Sequence, residues 1–363
     1  MANSPASSPL PQRSRFPLRR LPQLDGLRGF TATYVVFHNW AGSSDTLPFW
    51  LQKGLLSFGQ EAVMVFFLLS GFVMYWSSID RPKQTFYQFF VRRFRRIYFP
   101  FVSAMVLVFA IAVAQKGVVS VVQHPKFFSS LLGNLAMTQE ISTLKPGTWS
   151  EPFLGNLPFW TLTYEWWLYF LFFPIYRFFL QHPWRIPAIT LFSLVNFLIY
   201  TQIPNLISLV CTYLILWWSG VELAIQIRRD KLSWTSLSPI LMAIALMATL
   251  TFAPVLNTDT IRLGFYPFVI FRHFTVVLIF LGLGKLWYQH RPKIVDTILR
   301  PFAIVSPISY ALYLFHYPIL VMWNPKIFTN SLWVIIPIKF ILLIGLSYLV
   351  EVYLQRRVNR ILR

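Results

Sequence analysis

Residues 61–78 read Glu61-Ala-Val-Met-Val-Phe66-Phe-Leu-Leu-Ser70-Gly71-Phe-Val-Met-Tyr-Trp76-Ser-Ser78. With the residues just before it, this stretch makes an apolar run over 57–78, long enough to cross a bilayer as a helix. The same pattern recurs along the chain. Ten such spans are read: 26–43, 57–78, 97–115, 158–180, 185–201, 203–226, 234–254, 264–287, 302–323 and 332–354. In hydrocarbon every backbone amide must find its partner inside the segment, so each run is expected to be a helix. The runs are too long and too continuously apolar for barrel strands. The expected fold is all-α, a polytopic membrane bundle of about ten transmembrane helices.

Composition agrees. Of 363 residues, 56% are apolar and only 12% charged, where a soluble domain carries about 25% charged residues. A chain of this length has too little polar material to cover a water-facing exterior. The net charge is +20, but the basic residues sit between apolar runs and form no continuous stripe. They read as topology signals in loops, so nucleic acid is not an expected partner. With the N-terminus inside, twenty-three Lys and Arg fall on the cytoplasmic side and six outside. Both termini are therefore expected in the cytoplasm, in a multi-pass protein of the plasma or inner membrane. The division is a disordered basic tail over 1–22, a transmembrane domain over 23–355 and a basic end over 356–363. The longest loop, 116–157, contains Pro146, Gly147 and Trp149 and is expected outside as a folded cap or half-inserted hairpin.

The chemistry-bearing residues lie inside or beside the spans. The first span runs Asp25-Gly-Leu-Arg28-Gly-Phe-Thr31-Ala-Thr33-Tyr-Val-Val-Phe-His38-Asn39-Trp. Its polar residues are costly against lipid, which places this helix among its neighbours around a polar cavity. His38 lies ten residues past Arg28, about 15 Å deeper at 1.5 Å per residue. The fourth span carries Glu165 about two turns from its outer end, at a depth similar to that of His38. An acid and a histidine at one depth suit acid–base catalysis, a structural pair or a proton relay. From spacing alone, an enzyme and a proton-coupled transporter of a glycan or small solute fit equally. Arg92, Arg93, Arg95 and Arg96 stand at the expected cytoplasmic mouth. They suit anionic lipid, or phosphates held by guanidinium forks. His316, in Ser309-Tyr-Ala-Leu-Tyr-Leu-Phe-His316-Tyr-Pro, is as readily structural as catalytic. Ser70-Gly71 reads as a close helix contact more than a nucleophile. The single cysteine, Cys211, reads as packing. No P-loop, GxSxG, HExxH or CxxC pattern is present, and no metal or permanently bound cofactor is expected.

Five segments in order resemble the acyltransferase 3 family of membrane O-acyltransferases. They are Asp25-Gly-Leu-Arg28 with Phe37-His38; Phe66-Phe-Leu-Leu-Ser70-Gly-Phe72; Arg92-Arg93-x-x-Arg96-Ile-Tyr98-x-Pro100; Asn156-x-Pro158-x-Trp160-Thr-Leu-x-x-Glu165; and Ser309-Tyr310-x-Leu-Tyr-Leu-x-His316-Tyr-Pro318. The resemblance covers about 25–320. It implies transfer of an acyl group, often acetyl from acetyl-CoA as co-substrate, to a hydroxyl of a saccharide, commonly a cell-envelope or exported polysaccharide. It implies His38 and Glu165 as catalytic residues and Arg28, Arg92, Arg93 and Arg96 as the donor-binding set. Asp25, Ser70, Trp160 and His316 are implied as supporting residues, and membrane lipids as surroundings. Two departures are visible. Thr161 stands where serine is usual. Nine residues, not ten, separate Arg28 from His38, so on a regular helix the two stand about 80° apart.

Overall fold

The computed structural model describes residues 22–43, 47–324 and 331–361. The expected basic tail therefore lies outside the described residues except for Pro22. The chain is helical throughout: among the described residues the only β pairing is an isolated bridge between Gln139 and Ser150.

The helices are α1 (Pro22–Gly42), α2 (Gly59–Ile79), α3 (Phe86–Lys116), α4 (Phe127–Leu135) and α5 (Trp160–Pro174), the last continued by a wider turn, Ile175–Phe179. Then come α6 (Arg185–Gln202), α7 (Leu206–Arg228), α8 (Trp234–Asn257), α9 (Phe268–His290) and α10 (Lys293–Leu299). The chain ends with α11 (Ser309–His316), and with α12 (Leu332–Tyr348) prolonged through Leu349–Leu354 and Gln355–Ile361. Every one of the ten apolar stretches falls on a helix. Six helices are long and apolar enough to cross a membrane: α2, α3, α7, α8, α9 and Leu332–Arg360. A seventh is added if Lys293–Ile304 and Ser306–Met322, bent by 47°, count as one span. The structure thus supports an all-helical membrane protein with six or seven candidate crossings, fewer than the ten read from the sequence.

The centre of the bundle is the α2–α7 contact. A Cβ on Gly71 would stand 2.1 Å from the carbonyl oxygen of Trp217, and one on Gly220 would stand 1.9 Å from that of Leu68. Backbone therefore lies on backbone, as small residues allow between helices in lipid. This close approach carries Ser70 and Trp217 to the wall of the site. Replacing Gly71 by Ala is expected to cost on the order of 1–3 kcal/mol through overpacking. A thermal melt of the detergent-purified protein reads this; an unchanged midpoint would contradict the tight crossing.

The long loop is folded. Tyr200 OH donates to the Pro146 carbonyl at 2.8 Å, Trp167 Nε1 to Met137 O at 2.9 Å, and Gln139 Nε2 to Phe159 O at 2.9 Å. At its heart Lys145 Nζ pairs with Glu140 Oε2 at 3.1 Å, both side chains almost wholly buried. The ammonium also donates to Tyr164 OH at 3.2 Å and lies 4.0 Å from the centroid of the Trp160 ring.

Candidate active site

Helices α1, α2, α3, α5, α7 and α11 enclose a cavity of roughly 310 Å³. Its charged lining is Arg28 from α1, Arg93 and Arg96 from α3, and Glu165 from α5. Ser70, Thr161, Tyr169, Ser309, Tyr310 and Tyr313 supply hydroxyls. All five of the sequence segments thus contribute to one space. The residues between them (Phe66, Phe67, Leu69, Val73, Met74 and Ile97) are apolar.

Each guanidinium is held differently. Arg93 donates through Nη2 to Ser77 Oγ at 2.9 Å and lies over the rings of Phe89 and Tyr169, 5.6 and 5.5 Å from their centroids. Arg96 forms an ion pair with Glu351, Nη2 to Oε1 at 2.8 Å, and lies 5.9 Å from the Tyr310 centroid. Among the described residues the Arg28 guanidinium has no hydrogen bond or ion pair, and Arg28 lines the cavity. Arg92 does not line it. One residue before Arg93, its side chain leaves α3 about 100° away.

Glu165 accepts a hydrogen bond from Tyr169 OH, one turn further along α5, and Tyr169 OH lies 3.1 Å from Ser70 Oγ. Thr161 keeps the hydroxyl of the serine it replaces, donating to Tyr313 OH at 3.1 Å; Tyr313 OH in turn donates to the Pro158 carbonyl at 2.9 Å.

His38 stands apart from this cavity. Helix α1 runs unbroken from Pro22 to Gly42, so the offset of ten residues turns His38 away from the direction of Arg28. Its Nδ1 meets the Leu56 carbonyl. A carbonyl only accepts, so Nδ1 carries the proton and Nε2 keeps its lone pair in the neutral ring. Among the described residues nothing bonds to that Nε2. The ring rests on Gly59, where a Cβ would come within 2.1 Å of Cδ2. Val63, four residues further along α2, lines the cavity, so the cavity begins about 6 Å along that helix from the imidazole at 1.5 Å per residue. His38 and Glu165 are therefore not hydrogen-bonded to each other.

His316 is used differently. It is fully buried, with Nδ1 donating to Tyr313 O at 2.6 Å and Nε2 accepting from Asn39 Nδ2 at 3.1 Å. Both ring nitrogens are occupied, and the residue ties α1 to α11. Among the described residues no hydrogen-bonded path links it to Glu165. Asp25 accepts from Ser306 Oγ at 3.1 Å and so fixes the bend before α11. Trp160 belongs to the buried lysine cluster, stacked 6.4 Å from His273. His273 itself is spanned by Tyr213 OH at 2.6 Å and Gln60 Oε1 at 3.1 Å.

Several participants had gone unnoticed in the sequence. Tyr169 was legible in principle, since it lies four residues after Glu165 and so on the same helix face. Gly59 and Glu351 carry no local signal; only folding brings them to His38 and Arg96. A second cavity of roughly 550 Å³ lies between α1, α2, α7, α9 and α10. It is larger but overwhelmingly apolar, and none of the implied catalytic, donor-binding or supporting residues lines it.

With this geometry in view, the comparisons with known proteins are specific. The family described as an acyltransferase domain, acyltransferase 3, matches residues 21–355, nearly the whole chain. The chain belongs to that family, and its apolar helices mark it as an integral membrane protein. It is also similar to acyltransferase MdmB of Streptomyces mycarofaciens, 40% identical over 100 residues, a match spanning 26% of this chain and 25% of the other. No solved structure matches significantly. Family membership favours the enzyme reading over the transporter.

Proposed function

We propose that this chain is a multi-pass O-acyltransferase that moves a short acyl group, acetyl above all, from acyl-CoA to a hydroxyl of a saccharide such as a cell-envelope or exported glycan. Ten membrane crossings with both termini in the cytoplasm complete the proposal, supported by the charge distribution along the chain. The observation that carries it is the convergence of Arg28, Arg93 and Arg96 on one cavity. Three guanidiniums face one lining carboxylate, an excess of positive charge suited to phosphate oxygens. The small volume suits the thioester end of the donor, with its nucleotide at the mouth.

In the reaction, the arginines hold the phosphates and the acyl thioester points along the cavity toward His38. The acceptor hydroxyl gives its proton to His38 Nε2 while its oxygen attacks the thioester carbonyl carbon. The new C–O bond forms, the C–S bond breaks, and the CoA sulfur leaves and takes up the proton from the imidazolium. The Leu56 carbonyl keeps the imidazole in the tautomer that exposes Nε2, as a partner on the far nitrogen does for catalytic histidines. Reaching the ring requires the donor to extend past Val63. Glu165, tied to Tyr169 and Ser70, serves this reading as an acceptor or donor contact within the cavity, and Arg92 as a phosphate contact outside it.

Purified protein, labelled acetyl-CoA and a panel of saccharides test the reading: a covalent acyl ester should form without any ion gradient. Failure to transfer to any hydroxyl acceptor, with the protein folded, would overturn it. Arg28→Gln is expected to raise the donor KM about tenfold, as loss of a hydrogen bond to a charged group does. Because Arg28 has no protein partner to strand, the melting temperature should hold. A lowered melting temperature with unchanged KM would assign Arg28 to structure instead.

A further inference from the structure

Arg96 is the most exposed of the three cavity arginines and, among the described residues, the one of them with an ion pair; its side chain is 43% accessible, yet its partner Glu351 is only 1% accessible. Glu351 lies far along the chain, in the widened helical segment Leu349–Leu354 that prolongs α12. Its two oxygens do different things. Oε1 takes Arg96 at 2.8 Å, and Oε2 accepts the backbone N–H of Ala311 at 2.8 Å. Ala311 is in the first turn of α11, where backbone N–H groups lack helical partners and favour a negative charge. One turn beyond Glu351, Gln355 Nε2 donates to the Arg95 carbonyl at 3.1 Å. The end of α12 thus grips both the arginine segment of α3 and the start of α11, which carries Tyr310 and Tyr313 to the cavity.

We propose that Glu351 is a positioning residue for the acyl donor: anchored by the Ala311 N–H, it holds the Arg96 guanidinium beside the Tyr310 ring and leaves its N–H groups for the donor's phosphates. The inference rests on the reading of the arginines as the donor clamp. Arg96 needs such a brace more than its neighbours do. Arg93 is already fixed by Ser77 and two rings, whereas a half-exposed arginine without a partner samples many rotamers. The pairing is by charge and not by an aligned hydrogen bond, so the N–H donors of the guanidinium stay available for oxygen ligands.

The variant that separates this from a scaffold role is Glu351→Gln. Its amide oxygen can still accept from Ala311, while its amide nitrogen cannot accept from Arg96. The donor KM is expected to rise about tenfold, as loss of a partly buried ion pair implies, with kcat changed less than about threefold and the melting temperature held. A double-mutant cycle with Arg96→Gln gives the second readout: once Arg96 is gone, replacing Glu351 should raise KM no further, because the two act as a unit. A third readout needs no turnover. Phenylglyoxal should modify Arg96 faster in E351Q than in the wild type, scored by peptide mass spectrometry. Additive KM effects, or an unchanged Arg96 labelling rate, would overturn the positioning role while leaving the donor clamp intact. A wild type that neither binds CoA nor transfers from acyl-CoA would instead sink the clamp and this inference together.

Discussion

His38→Ala is expected to lower acyl transfer about 10²–10⁴-fold, the usual worth of a positioned general base, while the protein still folds and the donor KM stays within a few-fold. The expectation follows from the asymmetry between the two histidines on this side of the bundle. His38 has one nitrogen fixed by the Leu56 carbonyl and the other open, whereas His316 has both engaged, by Tyr313 and Asn39. A base needs a free lone pair, and a structural strut does not. His316→Ala should accordingly lower the melting temperature, because it releases the tie between α1 and α11 and leaves the Asn39 amide short of an acceptor. Single-turnover rates and melts of the two variants in detergent provide the check. If His38→Ala keeps more than a tenth of the wild-type rate, the imidazole is not the base and the reaction must run through groups inside the arginine-lined cavity.

The largest effect on stability is expected at Lys145. Lys145→Met removes the ammonium that neutralises Glu140 in a site from which water is excluded, and the stranded carboxylate is expected to cost about 3–5 kcal/mol. Most of the folded yield should be lost, visible as a collapsed peak in size-exclusion chromatography. Removing both charges, in the double variant Glu140→Gln with Lys145→Met, should recover much of it, since a glutamine can still accept from Tyr164. The pair matters to the site through position. It sits on the folded loop against Trp160 and Tyr164, on the same helix that presents Thr161, Glu165 and Tyr169. Equal melting temperatures for wild type and Lys145→Met would show that the loop is held by its backbone contacts alone.

The order of helices and their membrane character were legible in the sequence, because lipid leaves the backbone little choice once a run of about twenty apolar residues is present. The polar residues of α1 likewise gave themselves away, since Arg28 and His38 are costly wherever they face hydrocarbon. Gly71 could be read as a contact residue for the same reason of scale: nothing larger fits where helix backbones touch. The nine residues between Arg28 and His38 also foretold that an unbroken α1 would turn the two apart.

What the sequence could not decide was which of these groups share a space. Depth along a helix can be counted, and so Glu165 and His38 looked like partners; rotation about the axis and the neighbours on each face depend on packing. Tertiary structure put Glu165 with Tyr169 and Ser70, left His38 on Gly59 about one turn beyond the cavity, and separated Arg92 from Arg93 and Arg96. It also brought Glu351, some 250 residues from Arg96 in the chain, within an ion-pair distance of it. Apolarity along a helix is a local property written in consecutive residues, whereas the meeting of two side chains depends on where every intervening helix settles.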